Sequence, residues 1–267
     1  MSKIEDAIRK ASLDQENVRR RGPGKDSSKD DTQSRLALVL YRLEASRKHV
    51  PDNAALERNR IIHDGYSDEA LTNYKMLRTR ILQEFTANEW KTLAITAPHD
   101  GAGKTVNAIN LAIALASHGG HEVYLVDLDM RNPSIADYFD LPADIPGLAA
   151  YLDRRAELES VLWDVGVENL VVLANRDRLP DSSERITSKR MQELIESFKS
   201  ASSKPIVIFD LPPVLTADDA VAIAPSVDAM LMIVAEGETQ RDDLAQGLDL
   251  LRGANVLGVV LNKSDSA

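Results

Sequence analysis

The chain has 267 residues, 28% of them charged and 43% hydrophobic, with a formal net charge of −10 and a pI near 5.1. That length can bury one sizeable core with some chain left over, and the acidic balance argues against nucleic acid, or broad electrostatic binding to an anionic membrane, as the main partnership. The absence of cysteine removes disulfides, thiolate catalysis and thiolate metal sites.

No run of about 18 apolar residues offers a membrane span, so no direct membrane insertion is expected. The opening MSKIEDAIRKASLDQ lacks the apolar centre of a secretory signal, which makes the cytoplasm the expected compartment. Ile4, Ala7, Ile8 and Ala11 recur at helical spacing over residues 1–12, as either a weak surface helix or a docking peptide for a partner. Residues 13–34 are polar, contain Gly-Pro-Gly and read as a linker. Leu36 to Leu43 form an apolar patch that is open to helix or strand. Residues 1–67 are thus assigned to an N-terminal extension and 68–267 to the main domain.

From Asp68 to about Phe85, Leu71, Tyr74, Leu77 and Ile81 mark one face of a helix. Six apolar runs follow: TLAIT from Thr92, EVYLVD from Glu122, LVVLAN from Leu170, PIVIFD from Pro205, AMLMIVA from Ala229 and VLGVVLN from Val256. Helical candidates separate them at 104–118, 188–199, 217–225 and 239–252. Strands that are apolar throughout and alternate with helices predict an α/β fold, a doubly wound and mostly parallel sheet covered on both faces.

TLAIT runs directly into APHDGAGKT, so a strand ends in a glycine-containing loop and a helix begins near Lys104. In such a loop, backbone N–H groups turn inward around phosphates and the helix N-terminus adds its positive end. Gly101, Ala102, Gly103, Lys104, Thr105 and Val106 are the expected nucleotide cradle. Lys104 can reach the terminal phosphates of ATP, and the Thr105 hydroxyl can ligate Mg²⁺. Pro98 stands where this pattern usually has its first glycine, and Val106 where a hydroxyl residue often contacts phosphate.

In an open parallel sheet, ligands gather outside the carboxyl ends of the strands. EVYLVD leads into DLDMRNPS, which puts Asp127, Asp129 and Arg131 on that rim, and PIVIFD places Asp210 there. An apolar run ending in Asp suits a carboxylate that holds Mg²⁺ through water. The last strand ends at Asn262, where a side-chain amide could read the adenine edge.

In order along the chain, the phosphate loop, DLDMRNPS, GLAAYL, SERITSKRMQEL, DLPPVLTADDA and LGVVLN resemble the cytoplasmic kinase domains of the bacterial tyrosine kinase family, regulators of capsule and exopolysaccharide synthesis within the MinD/ParA-like P-loop ATPases. The resemblance implies that Lys104 binds phosphate, Thr105 and Asp210 hold the metal, and Asp129 supports the metal site. It implies that Asp127 helps activate the attacking hydroxyl or water, and that Arg131 lies beside the nucleotide or a subunit interface. It also implies a separate inner-membrane polysaccharide co-polymerase as partner, with peripheral placement at the membrane through it.

Three departures stand out. The last tyrosine is Tyr151, so autophosphorylation of a tyrosine-rich tail is not expected. The family's Glu-x-x-Arg-x-x-Arg helix has become Thr72, Lys75 and Arg78, which leaves a homo-oligomer open. Its Asp-Thr-Pro-Pro has become Asp210-Leu211-Pro212-Pro213, with one hydroxyl fewer. A partitioning or positioning ATPase of the MinD/ParA type and a non-catalytic nucleotide sensor are the alternatives.

Overall fold

The computed structural model describes residues 48–63 and 68–264. The stretch at 1–12, the linker at 13–34 and the Leu36–Leu43 patch lie outside the described residues. The strands are β1 (Thr92–Thr96), β2 (Val123–Asp127), β3 (Leu162–Asp164), β4 (Leu170–Leu173), β5 (Ile206–Asp210), β6 (Ala229–Ala235) and β7 (Val256–Asn262). They form one sheet in the order β3-β4-β2-β5-β1-β6-β7, parallel except for β3 against β4.

Every residue of β1, β2, β5 and β6 is buried, because each strand feeds two cores. Leu93, Ile95, Leu125, Ile208 and Leu231 point to one face, where helix α3 (Lys104–Ala116) lies. Ala94, Tyr124, Val126, Val207, Phe209 and Met230 point to the other. Burial on both faces removes the polar alternation that a half-solvated strand would show.

Helix α1 (Asn53–Arg58) and helix α2 (Asp68–Asn88) precede β1. Ile81 and Phe85 of α2 join the α3-side core, with Leu71, Tyr74 and Leu77 packed against it. The segment before α2 joins it too. Asp52 caps α1, its carboxylate accepting the Ala54 N–H at 3.2 Å. Ile61 and Ile62 are buried, and Asn110 of α3 clasps their backbone: it accepts the Ile62 N–H at 2.8 Å and donates to the Arg60 carbonyl at 2.9 Å. Residues expected in the N-terminal extension therefore share the core of the domain that follows.

Between β2 and β5 come short helices α4 (Ile135–Tyr138), α5 (Leu148–Leu152), α6 (Leu158–Val161) and α7 (Ser182–Ile186), then α8 (Lys189–Ser200). The first four are one turn or little more, too short to show a period, and so is the antiparallel edge strand β3. Helix α8 has the amphipathic pattern at full length: Ser188 caps it, and Met191, Leu194, Ile195 and Phe198 bury on the second face. Helices α9 (Asp219–Ile223) and α10 (Arg241–Leu250) complete that layer. The stretch expected as helix at 217–225 divides at Pro225, where a 3₁₀ turn takes over.

Candidate active site

The loop between β1 and α3 turns through Gly101 (φ 81°) and Gly103 (φ 90°), both left-handed. Gly103 also leaves room for Asn262, since a Cβ there would lie 2.1 Å from its Nδ2 and push that side chain away. Pro98 needs no such conformation, so a proline is tolerated where a glycine is usual. Its carbonyl and that of Ala97 accept the N–H groups of Leu215 and Val214, at 3.3 and 2.9 Å. Asn107 Nδ2 donates to the Gly103 carbonyl at 2.9 Å, and the Tyr74 hydroxyl donates to Asn107 Oδ1 at 3.2 Å. The cradle is thus braced from α2, α3 and the 211–217 segment.

Strand register then assembles the acids. Asp127 is the direct partner of Asp210 across β2 and β5, and Ile95 of β1 is the next partner of Asp210. Residues in register on parallel strands point to the same face, so both carboxylates face α3. Asp127 Oδ2 accepts the N–H groups of Ser134 and Ile135, at 3.2 and 3.1 Å, at the start of α4. Asp210 Oδ2 accepts the Thr105 hydroxyl at 2.6 Å. Lys104, itself buried, lies 3.6 Å from both Asp129 Oδ2 and Asp100 Oδ1.

Both strand-end acids are fully buried, yet Asp127 Oδ1 and Asp210 Oδ1 have no hydrogen-bond partner. Burial, then the facing Asp210 charge, holds the Asp127 carboxyl well above the usual range. Burial pushes Asp210 up to about 7 against the pull of Lys104 and Thr105. Asp129 is raised by burial, with Lys104 opposing. Buried acids with orphaned oxygens beside a threonine hydroxyl fit a hydrated divalent cation that would take up their charge. Among the described residues, no three His, Cys, Asp or Glu side chains converge as a cage by themselves. A cation here would therefore also need the Thr105 hydroxyl, water and phosphate oxygens.

Lys104, Thr105, Asp127, Asp129 and Asp210 come together on one rim, with Gly101, Ala102 and Gly103 forming the loop above them. Val106 is half-buried on the first turn of α3. Arg131 turns toward α7 and α9, with Nε 3.3 Å from Asp219 Oδ2, Nη2 3.3 Å from Asp218 Oδ1, and Ser182 Oγ accepting at 3.4 Å. Asn262 sits against the phosphate loop, donating Nδ2 to the Ala102 carbonyl at 2.8 Å. Leu211, which replaces a hydroxyl residue, is buried in the second core, while the Thr96 hydroxyl donates to the Pro212 carbonyl at 2.8 Å. On α2, Thr72 and Lys75 are exposed and Arg78 donates to the Ala114 carbonyl at 3.3 Å. Ser134 and Asn175 also belong to the site's surroundings. Neither carries a sequence signal beyond a polar residue at the end of a motif.

A glycine-braced phosphate loop opening a helix on a parallel sheet, with acids at the neighbouring strand ends, defines a P-loop nucleotide-binding protein. The AAA domain family model matches residues 90–246. Tyrosine-protein kinase CpsD of Streptococcus pneumoniae serotype 4 is 31% identical over 194 residues, 72% of this chain and 83% of that protein. The crystal structure of the chimerical protein CapA2B2 superimposes with a TM-score of 0.70 at 28% identity, covering 82% of this chain and 94% of that one. The septum site-determining protein MinD of Pyrococcus horikoshii, solved with Mg-ADP, is more distant: TM-score 0.54 and 21% identity, over 66% of this chain and 72% of that one, a likeness of fold alone. The chain belongs to the bacterial tyrosine-protein kinase family of AAA-domain P-loop proteins.

Proposed function

We propose that the chain is a Mg-ATP-dependent enzyme of the bacterial tyrosine kinase type that regulates exopolysaccharide or capsule synthesis and export. The observation that supports this best is the in-register pair Asp127 and Asp210, buried beside Lys104 and Thr105 with one oxygen of each unsatisfied. Bound Mg-ATP would supply the phosphoryl group and the cation that neutralises it.

The chain's own residues then divide the work. Lys104 and the N–H groups opening α3 bind phosphate oxygens. Thr105 Oγ1 and Asp210 would hold the cation, with Asp129 alongside to keep Lys104 in place. Asp127 Oδ1 takes the proton of the incoming hydroxyl. A carboxylate whose hold on a proton is strengthened by burial, and which is anchored through its other oxygen, suits that task. Asn262 braces the loop from behind, and Arg131 ties this rim to α7 and α9. The partner proposed is an inner-membrane polysaccharide co-polymerase, which would bring the enzyme to the membrane surface. Among the described residues, no helix is long and apolar enough to cross a membrane.

The test is Mg-dependent ATP hydrolysis and tyrosine phosphorylation by the wild type and by Asp127→Asn. Loss of a general base predicts a fall in kcat of about 10²- to 10⁴-fold with nucleotide binding retained. Binding without turnover in the wild type would replace this proposal with a nucleotide-sensing scaffold.

A further inference from the structure

We propose that Asn175 is a positioning residue for Asp127, and that through it helix α5 sets the alignment of the acid-bearing end of β2. This rests on the role proposed for Asp127 above. The ladder between β2 and β4 ends at the pair Val126 and Leu173. Asp127 thus has no strand neighbour on that side, and the peptide between Asp127 and Leu128 needs another partner for its carbonyl. Asn175, two residues past β4 and only 1% exposed, supplies it, donating Nδ2 to the Asp127 carbonyl at 2.7 Å. The other edge of the same peptide is held by β5, the Leu128 N–H donating to the Asp210 carbonyl at 2.9 Å. The peptide that orients Asp127 is therefore pinned from both sides.

The remaining half of the Asn175 amide is spent on α5. Its Oδ1 accepts the Ala149 N–H at 2.9 Å, while the Leu148 N–H donates to the Ala174 carbonyl at 2.9 Å. These are orphan donors of the helix start, capped from outside the helix. Gly147 makes the approach feasible: a Cβ there would lie 2.7 Å from Asn175 Oδ1 and 3.1 Å from its Cα. Helix α5 is in turn fixed to α7 and α8. Arg190 stacks 4.1 Å above the Tyr151 ring, and Arg185 grips both oxygens of Asp153 at 2.9 and 3.1 Å. One buried amide thereby links that helix cluster to the backbone of the proposed proton acceptor. Only a side chain with both a donor and an acceptor can make this link, so Asp and Ala each break it.

A merely structural asparagine would lower the melting temperature and leave turnover by the folded protein unchanged. A positioning residue would lower kcat while KM for ATP stays put, because the loop that binds phosphate is untouched. The experiment measures Mg-dependent ATP hydrolysis, and binding of a fluorescent ADP analogue over a magnesium titration, for the full chain and for Asn175→Ala, Asn175→Asp and Gly147→Ala. All are read well below their melting temperatures. The Gly147 backbone (φ −88°, ψ 170°) suits alanine, so that variant acts through its push on Asn175 and serves if the Asn175 variants do not fold.

The expected result is a fall in kcat of about tenfold or more with KM within about twofold. Asp127 also shares with Asp210 the buried charge that a cation would neutralise, so the magnesium midpoint for binding should rise. The double variant Asn175→Ala, Gly147→Ala should be no worse than the more damaged single one. Wild-type kcat in the folded variants overturns the inference while leaving the proposed enzyme intact. If the wild type binds nucleotide without turnover, the proposed enzyme fails. The magnesium midpoint then decides this inference separately, and an unshifted value refutes it.

Discussion

Two rims of the same sheet carry acids that are treated in opposite ways. At the amino-terminal rim, Asp228 is saturated. It accepts the N–H groups of Lys91 and Thr92 at 2.9 and 3.0 Å, the Thr92 hydroxyl at 2.8 Å and the Lys199 ammonium at 2.8 Å. Burial pushes its carboxyl up, but Lys199 and the donated hydrogen bonds outweigh burial and leave it below the usual carboxylate range. At the carboxyl-terminal rim, Asp127 and Asp210 face each other with an oxygen apiece left bare, and both are raised. An acid that the fold satisfies ties chain segments together. An acid that the fold leaves unsatisfied stores a demand for charge, which a cation and a phosphate-bound state would meet.

The largest effect that would sharpen this contrast is at Lys104. Lys104→Ala is expected to weaken ATP binding by about a hundredfold, a charged hydrogen-bonded contact being about 1.5–3 kcal/mol. The fold should survive, because Asp129 and Asp210 can take up protons when their neighbouring cation is removed. Titration calorimetry beside circular dichroism checks this, and unchanged ATP affinity would sink the site assignment.

Asp228→Ala should do the reverse. It strands two backbone donors and Lys199, at a cost of about 3 kcal/mol, or roughly 5–10 °C in melting temperature, with ATP turnover unchanged. A loss of turnover in that folded variant would erase the difference between the rims.

The smallest effect is in pH. Asp210 has a folded pKa of about 7, above its ordinary value of 3.8. The folded state therefore binds its proton first, and protein free of metal and nucleotide should gain stability as pH falls from 8 toward 5. The Asp228 contribution has the opposite sign, present above pH 3.8 and lost below it as pH falls through the folded pKa. Differential scanning fluorimetry of the wild type and Asp210→Asn follows both arms. A melting temperature that falls steadily from pH 8 to 5, with no difference between the two proteins, would break the contrast.

Much of the fold and of the site is legible in the residues themselves. The six apolar runs are strands, three of them residue for residue and three trimmed by one or two residues at one end, and their alternation with helices predicts a sheet covered on both faces. What escapes is short or distant. Strand β3 and helices α4 to α7 are too brief for periodicity to register, and Ile61 and Ile62 sit in a stretch whose polar neighbours resemble the linker before them. Asn262 and Ala102 are 160 positions apart, so nothing local to VLGVVLN tells that its last side chain ends against the phosphate loop.

The sequence by itself determined the parts that depend on neighbouring positions. The turn through Gly101 and Gly103, the helix that starts at Lys104 and the acids that close two apolar runs follow from local backbone sterics and from spacing. Only the tertiary structure decided that β5 lies between β1 and β2, bringing Asp210 level with Asp127, and that the Asn175 amide continues the ladder where β4 stops. The physical reason is that strands buried on both faces are nearly interchangeable by pattern. Their lateral order is chosen by how the helices on each face pack, a long-range property that no single run encodes.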